Sequence, residues 1–94
     1  MIRAQECASR ALGEVLRRQP MSTSKVTFAW RASVGETMAR ATLVKLDSSG
    51  ILNVRADTEH WRRETVRSSG VIKKRLANLL GKNVVKNLIV SKKR

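Results

Sequence analysis

The one histidine, His60, follows Glu59 directly, and an imidazole beside a carboxylate can relay a proton. The pair falls in the first turn of a predicted helix, however, where an exposed, solvated imidazole is the simpler reading. The one cysteine, Cys7, falls on an apolar stripe, the setting of an inert core thiol. A single cysteine forms no disulfide within the chain, and with one histidine it cannot complete a structural zinc site. Gly81-Lys82 lacks the upstream glycine spacing of a phosphate-binding loop, and no Gly-x-Ser-x-Gly elbow occurs. Asp57 is explained better as a helix cap than as a catalytic acid. The residues give no support to an enzyme, a cofactor or a metal site, so the expectation is a non-enzymatic protein.

The remaining chemistry is electrostatic. The 94 residues hold 20 Lys and Arg against 7 Asp and Glu, a formal net charge of +13. After Glu59 the only acid is Glu64. Against it stand Arg62, Arg63, Arg67, Lys73, Lys74, Arg75, Lys82, Lys86, Lys92, Lys93 and Arg94. Eleven bases and one acid place ten of the thirteen net charges between His60 and the C-terminus. Elsewhere charge is held down by Glu–Arg pairs at four-residue spacing: Glu6–Arg10, Glu14–Arg18, Glu36–Arg40 and Glu59–Arg63. An excess of this size points to a polyanionic partner, nucleic acid first, with the late cations as its contact surface. The aromatics are Phe28, Trp30 and Trp61, and none falls on a predicted strand. Without a stacking platform, contact falls on phosphates, with weak sequence specificity and steep salt dependence. Trp30 and Trp61 sit on apolar stripes and read as core residues first.

These groups must be positioned by one domain spanning 1–94. Residues 2–18 read as an amphipathic helix through Ala4, Cys7, Ala8, Ala11, Leu12, Val15 and Leu16, ending near Pro20. Ser22, Thr23 or Ser24 can cap a second helix, Lys25 to Ala41, with Val26, Trp30, Val34 and Met38 as its buried stripe. Gly35 inside it implies close approach of another backbone. A hairpin follows: Thr42–Asp47, a Ser48-Ser49-Gly50 turn, and Ile51–Ala56 with Leu52, Val54 and Ala56 on one face. Asp57 caps a helix running to about Arg67, with Trp61 laid back over the sheet. A further helix, Val71 to Leu80, ends at Gly81. Val84–Val90 reads as a last strand, parallel to one of the others, and 91–94 as a short basic tail. The order α-α-β-β-α-α-β makes an α+β two-layer sandwich, a three-stranded sheet covered by helices on one face. No apolar run approaches the length of a membrane span, the N-terminus lacks the continuous apolar segment of a signal peptide, and a cytoplasmic location is the expectation that fits the lone cysteine.

The run Trp30-Arg31-Ala32-Ser33-Val34-Gly35, the hairpin end Gly50-Ile51-Leu52-Asn53-Val54 and Trp61 together resemble the DciA-like family. So do Leu76-Ala77-Asn78-Leu79-Leu80-Gly81 and Val84-Val85-Lys86-Asn87-Leu88-Ile89-Val90. The resemblance covers nearly the whole chain and rests on the order and spacing of these segments, not on any one motif. It implies a KH-like fold in its second (type II) arrangement, in a bacterial, nucleoid-associated protein of DNA replication. It also implies two partners, DNA and the replicative helicase whose loading or operation such proteins assist. Trp30, Val34 and Gly35 match the family's first motif; Gly50, Leu52, Val54 and Trp61 match its second, as core or partner contacts. Two departures stand out. The loop between the paired helices, Arg67-Ser68-Ser69-Gly70-Val71, has one glycine where an RNA-binding KH domain has Gly-x-x-Gly. Family members also often carry a long disordered extension, whereas the match here is essentially to the domain. The rival expectation is an RNA- or ribosome-associated KH-like protein, supported by the same charge and opposed by the incomplete glycine loop.

Overall fold

Helix α1, Thr23–Val34, begins where Ser22 turns the chain out of extended geometry and its Oγ accepts the Lys25 amide at 3.1 Å. The structure, a computed structural model, describes residues 14–15 and 18–92. The predicted helix over 2–18 therefore lies almost wholly outside the described residues, as do Cys7, the Glu6–Arg10 pair, Lys93 and Arg94. Glu14, Val15 and Arg18 are helical.

The expected single helix from Lys25 to Ala41 is two helices. Gly35 adopts φ +86°, which a side chain strongly disfavours, and breaks the run into α1 and a short α2, Glu36–Arg40. A Cβ placed at Gly35 would meet nothing within 4 Å. Its glycine thus serves backbone torsion, not the close approach expected from its place in a helix. The stripe survives the break: Val26 and Trp30 are buried, and Val34 and Met38 pack against them.

Strands β1, Thr42–Leu46, and β2, Ile51–Ala56, pair antiparallel, with Leu43 opposite Arg55 and Val44 opposite Val54. Asp47 organises the turn. Its carboxylate accepts the Ser49 hydroxyl at 2.6 Å and the Ser49 and Ile51 amides at 2.9 and 3.1 Å. Those bonds, the Ser49 hydroxyl foremost, hold its pKa below the ordinary carboxylate value.

The cap of the next helix, α3, Glu59–Arg67, is Thr58 and not Asp57: the Thr58 Oγ1 accepts the Trp61 amide at 3.2 Å. Asp57 stays at the end of the hairpin, its amide donating to the Ala41 carbonyl at 2.8 Å, and the helix starts one residue later than expected. Helix α4, Ser69–Leu80, starts two residues earlier than the apolar pattern suggests and buries Ile72, Leu76, Leu79 and Leu80. Gly81 at φ +108° ends it. The last strand, β3, is Asn87–Lys92, not 84–90. Residues 82–84 form a turn, with Asn83 at φ +72°, before the Lys86 amide meets the Gly50 carbonyl at 2.7 Å and sets the register. Ser91 and Lys92 therefore belong to the sheet, not to a tail.

The sheet order is β1-β2-β3, with β3 parallel to β2: Leu52 faces Leu88 and Val54 faces Val90. The protein is α+β, with a three-stranded mixed sheet. One face carries Val44, Leu46, Leu52, Val54, Leu88 and Val90 against α1 and α4. At the centre is Trp30, 2% exposed, whose Nε1–H donates to Thr42 Oγ1 at 2.8 Å while that hydroxyl donates to the Met38 carbonyl. The other face leaves Leu43, Lys45, Asn53, Arg55 and Ile89 exposed. No helix among the described residues is long and apolar enough to cross a membrane.

Candidate nucleic-acid interface

Helices α3 and α4 carry most of the described late cations, and they treat them differently. On α3, Glu59 is flanked by arginines at three- and four-residue spacing, the reach of neighbouring helical side chains. Arg62 closes on it with both forks, Nε to Oε2 at 2.8 Å and Nη2 to Oε1 at 2.5 Å. Arg63 Nε lies 3.4 Å from the same carboxylate, and Arg67 Nη1 lies 3.7 Å from Glu64. The Arg62 bonds pull the Glu59 pKa down to about 2, and the same contact raises that of Arg62. Glu59 and Glu64 thus engage three of the arginines that a count along the sequence leaves unopposed. Of the other spaced pairs, Glu36 and Arg40 meet at 2.8 Å, whereas Glu14 and Arg18 form no ion pair among the described residues.

On α4 the cations form no ion pair among the described residues. Lys73, Lys74 and Arg75 are all exposed. Arg75 is fixed: its Nη1 donates to the Ser33 carbonyl at 2.8 Å, at the C-terminal end of α1, where a cation also suits the helix dipole. Ser33 itself is buried with its Oγ unpartnered. A single residue, Ser68, joins α3 to α4, and no side chain caps the start of α4. Gly70 stands in its first turn with open space around it. Uncapped amides at a helix start, followed one turn later by Lys73 and Lys74, are groups that hold a phosphate.

The remaining cations do not join this cluster. Lys82 is exposed in the turn after α4. The Lys86 stem lies across Gly50, where an added Cβ would come within 3.0 Å of it. Lys92 sits opposite Ala56, at the far end of β3 from Lys86 and about 20 Å away at strand rise. The described late cations are therefore dispersed: a run of three exposed ones on α4, Lys82 in the turn after it, and separate cations at the two ends of β3.

The family-motif positions are mostly interior. Trp30, Leu52 and Val54 are at most 2% exposed, Gly50 is buried at φ +89°, and Val34 is half-buried. Trp61 is also half-buried; its ring meets His60 edge-on at 5.2 Å and lines a shallow depression with Glu36, Thr37, Arg40, Ala41 and Asp57. The fully buried residue of α3 is instead Thr65, whose hydroxyl donates to the Trp61 carbonyl at 2.7 Å. A polar β-branched residue gives little sequence signal for that role. No protein-family model matches the chain, and no curated protein matches it.

Proposed function

We propose that the protein is a non-enzymatic DNA-binding accessory factor of replication, with a KH-like (type II) fold. It contacts DNA phosphates through α4 and the cations around it, and a replicative helicase through another surface. The observation that carries the DNA reading is the exposed Lys73-Lys74-Arg75 run, which forms no ion pair among the described residues and is anchored through Arg75. The element order from the hairpin onward and the resemblance to the DciA-like family support the fold and the helicase partner. The engaged arginines of α3 contribute less, because a phosphate must compete with Glu59 and Glu64 for them.

The deciding experiment compares binding to single-stranded, duplex and tailed DNA, and to RNA of the same length, at two salt concentrations. Reversing Lys73 and Lys74 to Glu is expected to weaken DNA binding by about tenfold or more at low salt, since two phosphate contacts become repulsive. Unchanged affinity in that double variant removes the α4 surface from the reading. RNA bound in clear preference to every DNA form moves the protein to the ribosome-associated alternative. Failure to recover the host's replicative helicase at low salt with DNA present removes the helicase partner.

A further inference from the structure

Among the described residues, strand β1 has a partner on one side only. The ladder fixes which of its backbone groups face away from that partner. The Asp47 amide bonds the Ile51 carbonyl at 3.0 Å and the Asp57 amide bonds the Ala41 carbonyl at 2.8 Å. Odd-numbered residues of β1 therefore make the hydrogen-bonded pairs with β2, and the amides and carbonyls of Val44 and Leu46 point outward along the free edge. Thr42, at the start of the edge, is enclosed by Met38 and Trp30. Among the described residues no strand pairs with the stretch from Val44 to Leu46.

A groove runs beside that stretch, between the edge and the N-terminus of α1, lined by Met21, Val26, Val44, Lys45, Leu46 and, at its turn end, Asp47, whose carboxylate is taken up by Ser49 and the Ile51 amide. Its floor is apolar: Val26 is buried, Val44 and Leu46 are half-buried and Met21 is 48% exposed. Around the edge, on the open sheet face, lie Leu43, Lys45 and, across from Leu43, Arg55; the one carboxylate near them, Asp47 just past the end of β1, is bonded to Ser49 and the Ile51 amide. A strand edge is satisfied by another extended backbone, which a nucleic acid or a formed helix does not supply. A second copy of this chain would bring two bodies of net charge +13 together, with Lys45 on both sides of the seam.

We propose that the β1 edge takes an extended acidic peptide segment as a fourth strand, hydrogen-bonded to Val44 and Leu46. Side chains on the covered side of that strand enter the groove and must be aliphatic. Those on the other side lie beside Lys45 and are carboxylates, so the recognised sequence alternates aliphatic and acidic residues. The site shares no residue with the α4 surface and stands or falls independently of nucleic-acid binding.

The test uses the full chain, labelled with nitrogen-15, and a capped six-residue peptide alternating Val and Glu. With saturating peptide, hydrogen exchange at the Val44 and Leu46 amides is expected to slow by about tenfold or more. A peptide with three Val followed by three Glu is expected to leave both unchanged. Lys45→Glu, with near-ultraviolet circular dichroism of the tryptophans reporting an intact fold, is expected to weaken the alternating peptide roughly fivefold. The proposal is overturned by unchanged exchange, by equal protection from the blocked-sequence peptide, or by indifference to Lys45→Glu. It is overturned equally if both amides are already protected in the free chain, because the edge is then covered by the chain itself.

Discussion

Thr42 does more for this structure than its place at the head of a strand suggests. Its hydroxyl is the acceptor for the indole of Trp30 and a donor to the Met38 carbonyl, so one side chain closes the hydrogen bonding of the core's largest residue. Thr42→Val keeps the shape and leaves the indole N–H buried without an acceptor, at a cost of about 1–3 kcal/mol. Thermal or urea unfolding monitored by tryptophan fluorescence checks this, and Thr42→Ser, which restores the oxygen, is expected to recover most of the loss. The tryptophan was legible as a core residue from its spacing with Val26; its partner was not, because nothing in a sequence ties a threonine to an indole twelve positions away. Asp57 and Thr58 make the same point in miniature. Either can cap a helix, and only the position of the first helical turn, with the Trp61 amide on Thr58, shows which one does.

Helix α3 stores its charge internally, and that sets its response to acid. Glu59 has a folded pKa of about 2 against an ordinary value of 4.5, so the Arg62 interaction stabilises the helix fully above about 4.5 and is lost as pH falls through about 2. Melting temperatures of the wild type and Glu59→Gln are expected to differ at neutral pH and to converge between pH 4.5 and 2. The difference also shrinks at high salt, because both partners remain partly in solvent. Element by element, the hairpin was legible from strict alternation, and α4 from its apolar stripe. The break at Gly35 was not, since the apolar stripe runs through it and only the backbone torsion reveals it. The start of β3 was displaced because Val84 and Val85 are β-branched yet serve as packing residues at the end of a turn and just after it. The candidate site was legible as a count of cations; which of them keep carboxylate partners depended on the α3 geometry.

At the scale of the molecule, the net charge of +13 is distributed over several surfaces, and only α4 gathers it into one patch. If binding is phosphate-driven, log affinity for DNA falls linearly with log salt, at a slope of about 0.7 to 0.9 per phosphate contacted. Titrations over a range of salt concentrations are expected to give a slope matching a few contacts, as α4 can supply, and not the eleven late cations taken together. Lys73→Ala is expected to reduce that slope by about one contact's share, while Lys92→Ala leaves it unchanged.

The parallel docking of β3 on β2 has a consequence in time. The hairpin can close early, through near neighbours in the chain. The third strand has to wait for two helices to form and for Asn87 to find Ile51 across all of them. During synthesis this strand emerges after the hairpin and both helices, so β2 passes an interval with its inner edge bare. For that interval the nascent chain shows two open edges where the finished fold shows one on β1 and another on β3.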